Sequence, residues 1–487
     1  MRFSNVNQLI NSGLIYGLGG ALNRALSFIA LPFIARYIAP AEYGVISMLM
    51  MMGVVFTALF TLGLGTSIGS RYFSKETPFE KDAVIFGAHL VLLVSAAVLV
   101  VCGMLNAAAI GKWLFSGADH AYQVRLSILT AALGILVQPW QLKLQFEQKA
   151  KRFVVASFGS ALLSFLLIIF FVVILEKSIT GYLYALLLGQ MITFTLFFML
   201  AKNGMRYLPA KKDITVLLKE GIPLIPAFLF VFVIQNAARY PLQSYHGLTE
   251  VGIYTMGTSI GMGMGLFVEA FARAWAPFSL TYMNKQEEAR QLLARLTQYY
   301  LVAFGYLTLL FFYFAKPVAM IVLPHAYEDA FHLIGLAAAA QFFLGLFTVL
   351  LPSLYFAKKL YIVTLLQGVA AILSVVMFVT IIPAFGALGA GLSVALSNLF
   401  LALLLLSWVR KDPACYKIDY QQRKIYKTLG WIALLALLPM LLSSESLLLN
   451  AGFAILCSVV SALIMFRLTE VSVSELRQAM RQLVQRS

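Results

Sequence analysis

The chain reads as an all-α polytopic membrane protein: two six-helix lobes and a C-terminal helix pair, about fourteen spans in all. Three observations predict this. Apolar residues make up 61% of the 487 positions and charged residues only 11%, against roughly 45–50% and about 25% in soluble domains. The apolar residues fall in successive runs close to the ~20 residues that cross a bilayer. Lys and Arg crowd onto alternate loops, as the positive-inside rule requires of an even number of spans.

Taken in order, the first six runs are Leu9–Ile38, Tyr43–Ser70, Ala83–Ile110, Val124–Leu144, Phe153–Leu175 and Gly181–Ala201. The next six are Val216–Tyr240, Val251–Ala274, Leu296–Ala315, Phe331–Phe356, Tyr361–Ile382 and Phe385–Val409. Thr428–Leu442, the shortest, and Leu447–Phe466 close the series. The first run is too long for a cleaved signal core, which has about 7–15 residues, and it contains Arg24. With the N-terminus inside, only Arg36, Lys112, Arg125, Lys177, Arg239 and Lys316 lie toward the outer side. Both termini are therefore expected in the cytoplasm, with the protein in the inner membrane.

Two long basic inner loops, Lys202–Glu220 and Arg410–Lys427, divide the chain. They mark lobes at 1–210 and 211–412 and an appended region at 413–487. The last of these ends in an amphipathic stretch, Ser472–Ser487, expected to lie on the inner leaflet. Short elements recur between the lobes. Gly13-Leu14-Ile15 matches Gly221-Ile222-Pro223, and Glu42-Tyr43-Gly44-Val45 matches Glu250-Val251-Gly252-Ile253, at one common offset. Six spans separate equivalent points, an even number, so the repeats would be parallel. Transporters built that way hold substrate between the halves.

Composition excludes several classes. The formal net charge of +16 is explained by basic loops beside anionic headgroups, and no nucleic-acid partner is expected. Cys102, Cys415 and Cys457 are far apart, and the five histidines are dispersed, so neither a disulfide framework nor a metal site is predicted. No GxxxxGK[ST] loop occurs, and no cofactor is implied. No loop is long enough for a catalytic domain, so the chain is not expected to be an enzyme.

Around Ala39-Pro40-Ala41-Glu42-Tyr43-Gly44-Val45 and its counterpart Leu248-Thr249-Glu250-Val251-Gly252-Ile253-Tyr254, the sequence resembles the Wzx-type polysaccharide and O-antigen flippases. These belong to the multidrug/oligosaccharidyl-lipid/polysaccharide exporter superfamily. The resemblance spans the first twelve helices. It implies two facing lobes that move an undecaprenyl-diphosphate-linked oligosaccharide from the inner to the outer leaflet for cell-surface polysaccharide synthesis. Membrane lipids, a polysaccharide polymerase and chain-length regulators are the implied partners. The extra helix pair departs from the twelve-helix pattern and is similar to that of lipid II flippases. A cation-coupled multidrug exporter of the same fold and a membrane glycan polymerase or ligase are the alternatives. The first should carry acidic residues in its first lobe, and the second a large outer loop.

Flipping makes and breaks no bond. It needs a cationic, polar path through a low-dielectric slab, so ionisable residues inside spans are the candidates. Arg24, mid-span, shares a face with Tyr16, Gly20 and Ser27, where a guanidinium can grip a phosphate in bidentate fashion; a structural arginine capping carbonyls is the alternative. Arg239 and Gln235 share a face near the outer end of span seven. Arg273 stands one turn from Glu269, the one acid clearly inside a span and the candidate coupling group; an ordinary i, i+4 pair explains them nearly as well. Gly257, Gly261 and Gly265 precede them as a small-residue face, suited to a cavity wall or to close packing. Gln138 and Gln141, with Lys143 adjacent, are placed to meet sugar hydroxyls or merely to solvate a helix end. In a chain with its native cysteines replaced, a cysteine at Gly117 should be labelled from outside by an impermeant thiol reagent. Cysteines at Asn203 and Ala414 should resist it, and the reverse pattern would overturn the orientation.

Overall fold

The computed structural model describes residues 3–202, 209–283, 286–412, 415–441 and 446–468, so the expected amphipathic tail lies outside the described residues. Among them there are helices and no strand. Eleven helices are long and apolar enough to cross a membrane. Large apolar side chains stand uncovered along them: Val94, Val98, Val101 and Leu105 form one stripe, with Leu105 80% exposed. Water would reject such a stripe, whereas lipid chains accept it.

The helices are α1 (Phe3–Tyr37), α2 (Pro40–Phe60), α3 (Leu64–Phe73), α4 (Pro78–Leu114), α5 (Ala121–Phe146), α6 (Ala150–Ile168) and α7 (Ser178–Ala201). Then come α8 (Lys211–Gly221), α9 (Ile225–Asn236), α10 (Arg239–Gly261), α11 (Met264–Thr281), α12 (Gln286–Tyr313), α13 (Ala315–Val322), α14 (Phe331–Leu350) and α15 (Pro352–Phe356). The series ends with α16 (Tyr361–Lys411), α17 (Gln422–Ala436), α18 (Leu438–Leu441) and α19 (Leu447–Leu468). Local chemistry sets many of these boundaries. Pro40 and Pro78 open α2 and α4, where a missing N–H costs nothing. Thr77 and Glu80 form a reciprocal cap, with Glu80 N–H donating to Thr77 Oγ1 and Thr77 N–H to Glu80 Oε2, both at 3.3 Å.

The eleven long helices and the fourteen expected spans differ for identifiable reasons. Lys211–Gly261 and Tyr361–Lys411 are runs of 51 residues each, more than twice a bilayer crossing. Each is interrupted by a left-handed glycine, Gly247 at φ 85° and Gly386 at φ 52°. At the other end of the scale, α17 has 15 residues, short of a crossing. The second expected span is not continuous either: Leu62 and Gly63 turn left-handed between α2 and α3, although hydropathy runs on through them.

The residues form two compact units. One holds Met1–Met256 with Gln367–Ser393, and the other Gly257–Leu366 with Val394–Ser487. In the first unit, α8 to α10 pack with the first six spans. Gly44 lies so close to the Leu248 carbonyl, and Gly252 to the Pro40 carbonyl, that a methyl at either glycine would strike backbone oxygen. Ser47 Oγ and Thr255 Oγ1 meet between them at 2.6 Å. Gly44 and Gly252, Pro40 and Leu248, and Ser47 and Thr255 share one separation of 208 residues. The contacts are thus reciprocal, as a local two-fold relation between the segments demands. The two glutamates of the recurring element both satisfy backbone N–H groups. Glu42 Oε2 accepts from Ala39 at 3.1 Å, and Glu250 Oε2 from Ala387 at 3.2 Å, beside the Gly386 break.

In the second unit, Gly257 and Gly261 press α10's end against the Ala330 and Ile334 carbonyls, which identifies that part of the small-residue face as close packing. The C-terminal pair is fastened to α12. Tyr313 Oη bonds Ser461 Oγ at 2.5 Å and donates to the Leu435 carbonyl at 3.2 Å, while Ile432 and Met465 cover Gly305.

Gly44→Ala should lower the stability of the detergent-purified protein by about 1–3 kcal/mol, the range for forcing a methyl into a packed contact. Gly53→Ala, nine residues along α2 with open space around it, is the control. Thermal unfolding of the two variants checks this; equal melting curves would show that the crossing is not tight.

Candidate functional site

The charged side chains inside spans resolve into separate local groups. In the first unit, Arg239 opens α10 and is half-buried. Its Nε donates to Ser47 Oγ at 3.0 Å, and its Nη1 to Asn236 Oδ1 at 3.2 Å. The guanidinium carbon lies 5.7 Å from the centre of the Tyr254 ring. Thr255 Oγ1 donates to the Val251 carbonyl at 2.8 Å, so the Ser47 hydroxyl must be the donor in the Ser47–Thr255 bond. The proton order therefore runs one way, from guanidinium to Ser47 to Thr255 to carbonyl, and each bond polarises the next. Every protein group named here is neutral. Among the described residues no carboxylate pairs with Arg239, and its positive charge remains uncompensated.

Arg24, on α1, is half-buried. The neighbouring Asn23 donates to Ser157 Oγ on α6 at 2.7 Å, which fixes the rotation of α1 about its axis. Gln235 is half-buried one turn before Arg239. Lys143 differs from both arginines. It is 3% exposed, and its Nζ lies 2.5 Å from Asp82 Oδ1 and 3.8 Å from Glu147 Oε1. Its charge is thus neutralised by acids on α4 and just beyond α5. Gln138 and Gln141 are half-buried on α5. The Gln138 Oε1 atom is buried with no hydrogen-bond partner, and its amide nitrogen lies against Gly65.

In the second unit, Glu269 Oε2 and Arg273 Nη2 stand 3.8 Å apart on α11. Both side chains are exposed, at 50% and 55%. Helix α11 is not among the eleven helices long and apolar enough to cross a membrane, and a charge pair that open to its surroundings needs water or a polar ligand beside it.

This combination of a broken second span, paired helices and scattered cations can be set against known proteins. A family model described as polysaccharide biosynthesis protein matches residues 9–283, more than half of the chain. The chain belongs to that family. No curated protein matches it. Solved structures do match. The lipid II flippase MurJ in an inward closed conformation is similar over 93% of this chain and 99% of its own, with a TM-score of 0.72 at 13% identity. A multidrug resistance MATE family transporter of the MOP superfamily, inward-facing, matches over 80% and 94% with a TM-score of 0.64 at 15% identity. The Vibrio cholerae MATE transporter VcmN, in a mutant form, matches over 84% and 98% at 0.54 and 13%. At these identities the likeness establishes the fold.

This member of the polysaccharide biosynthesis family also holds a charge cluster that the sequence did not single out. Arg71 Nε donates to Asp213 Oδ1 at 2.7 Å, and Lys75 Nζ lies 3.1 Å from the same oxygen. That cluster ties α3 to α8. Its signal was present only as opposite charges flanking apolar runs, 142 residues apart, with nothing local to pair them.

Lys143→Met should leave Asp82 without its cation. Breaking a buried pair costs ~3–5 kcal/mol, and the partial exposure of Asp82, 20%, places this case at the lower end. Adding Asp82→Asn should restore most of the membrane protein level. If the single variant accumulates normally yet loses transport, Lys143 acts on substrate instead.

Proposed function

We propose that this protein is a flippase that carries an undecaprenyl-diphosphate-linked oligosaccharide from the inner to the outer leaflet. It would serve cell-surface polysaccharide synthesis of the O-antigen kind. The observation that carries this reading is Arg239: a half-buried guanidinium held by Ser47, Asn236 and Tyr254 and by no acid among the described residues. A site that keeps a net positive charge in a low-dielectric slab favours an anionic ligand such as a diphosphate and disfavours a cationic drug. The family's link to polysaccharide synthesis and the fold of a lipid II flippase support the same reading. Transport of this kind requires no catalytic residue, and the chain is not an enzyme in this reading.

In this scheme residues 1–210 and 211–412 are parallel six-helix repeats, and 413–487 adds the last pair and the tail. The reciprocal contacts of Gly44 and Gly252 support that pairing. Arg24, Arg239 and Arg273 supply positive potential along the path, while Lys143 is a cation already matched by acids. Gln138, Gln141 and Gln235 meet sugar hydroxyls, and Glu269 couples transport to a driving ion. The protein sits in the inner membrane with both termini in the cytoplasm, beside the polymerase and chain-length regulators that use its product.

Arg239→Gln keeps a donor for Ser47 and removes the charge. Surface polysaccharide should fall at least roughly tenfold, the cost of one charged hydrogen bond to substrate, at unchanged membrane protein level. Arg24→Ala should abolish export, and Arg24→Lys should retain part of it, because an ammonium lacks the planar fork. Normal export by the Arg239→Gln and Arg24→Ala variants would remove the cationic path. Loss of export that only tracks loss of protein would make these arginines structural.

A further inference from the structure

The second unit contains a cavity of about 700 Å³ where α16 ends and α17 begins. It is built around the basic loop between α16 and α17, far along the chain from Arg24 and Arg239. Five cations line it, Arg290, Arg410, Lys417, Arg423 and Lys424, against one carboxylate, Asp419.

Three of the five cations, Arg410, Lys417 and Arg423, meet no acid among the described residues. Asp419 is taken up by Arg290 through two bonds, Nε to Oδ2 at 2.8 Å and Nη2 to Oδ1 at 2.9 Å. Arg410 donates only to the neutral Gln422 Oε1, at 3.1 Å. Lys417 and Arg423 are exposed and make no ion pair among the described residues. Asp412, in the same loop, is bound to Lys359 Nζ at 2.6 Å, which holds the Lys359 ammonium above its ordinary pKa. Glu287, one turn before Arg290, acts on that already paired arginine. The opening turn of α17 adds to the field. Its N-cap residue, Gln421, makes no side-chain cap bond, and the helix dipole is positive there.

The rest of the lining is Tyr420, the amides Gln421 and Gln422, and three buried aliphatic side chains, Leu406, Val409 and Ile418, that form an apolar floor. A small soluble anion has no use for such a floor. An amphiphile does, with its phosphate among the cations and its first methylenes on Leu406, Val409 and Ile418.

We propose that this cavity is a binding site for the phosphate of an anionic lipid headgroup, filled from the leaflet that borders the basic loops. The site stands whether or not the chain is a flippase. In that position a bound lipid would pin α17 and the C-terminal pair to α12 and α16 and set their depth in the membrane.

The test uses purified full-length protein in detergent, titrated with dioleoyl phosphatidylglycerol or with dioleoyl phosphatidylcholine, bound lipid being counted by native mass spectrometry. Phosphatidylglycerol should be retained in preference to phosphatidylcholine. The double variant Lys417→Gln/Arg423→Gln should weaken that retention roughly thirtyfold, since each of the two cations contributes ~1 kcal/mol near a lipid surface. Both residues are exposed, so the fold should be undisturbed. The double variant Lys411→Gln/Lys427→Gln removes the same charge just outside the cavity and should leave retention near wild type. Equal retention of the two lipids, or equal weakening by the two double variants, would overturn the site in favour of diffuse surface charge. A third arm offers sodium pyrophosphate without lipid. Binding as tight as that of phosphatidylglycerol would overturn the lipid assignment and make the cavity a soluble-phosphate site.

Discussion

The close approach of two backbones at Gly44 and Gly252 is the constraint on which the first unit depends. Each glycine lets a carbonyl of the other segment into the space a side chain would fill. That approach brings Ser47 and Thr255 within hydrogen-bond reach and gives Arg239 a neutral hydroxyl to hold. Without both glycines the helices would stand farther apart, and the Ser47–Thr255 bond could not form. Packing and electrostatics are thus joined at one crossing. Inside a bilayer this is the usual bargain, since helices gain little from burying apolar surface against each other and rely on small residues and hydrogen bonds.

The charged side chains fall into two kinds. Lys143 with Asp82, and Arg71 and Lys75 with Asp213, are cations matched by acids across helices; they fasten the structure at tolerable desolvation cost because each charge has its opposite. Arg239 is held by neutral acceptors and an aromatic face, and both side chains of the Glu269–Arg273 pair are exposed. Charges of the second kind are not matched by a buried acid and so do little to fasten one helix to another. Sorting them this way needs partners as well as depth, which is why Lys143 reads as a substrate ligand in the sequence and as a tethered cation in the structure.

Much of the fold was legible because hydropathy is a local property. The runs from Leu9 to Phe466 carry their own length, and each helical region can be found without knowing its neighbours. The Glu-x-Gly elements were also visible, but only as a likeness. Their physical content is only partly local: Glu42 holds the nearby Ala39 N–H, but Glu250 holds Ala387, and each glycine lies under a carbonyl of the other, distant segment. Helix breaks inside apolar stretches were not legible. Leu62 and Gly63 are as apolar as their surroundings, and a left-handed φ leaves no mark on a hydropathy profile. The same holds for Gly247 and Gly386, which break two long runs. The partners of Lys143 and Asp213 were hidden by distance along the chain, since opposite charges at loop edges have many possible mates until the helices are placed.

Helix α4 has 37 residues and so measures about 55 Å, nearly twice the ~30 Å of a hydrocarbon core. Tilt alone does not absorb that excess. The helix ends must stand in the headgroup layers and beyond, which is where its polar groups fall: the Thr77–Glu80 cap at one end, Lys112 and the exposed Trp113 at the other. Between them the apolar stripe is longer than any one bilayer needs. The helix can therefore slide relative to the lipid by a fraction of a turn before the exposed Asn106 enters the chains. Such slack makes the protein tolerant of membranes that differ modestly in thickness.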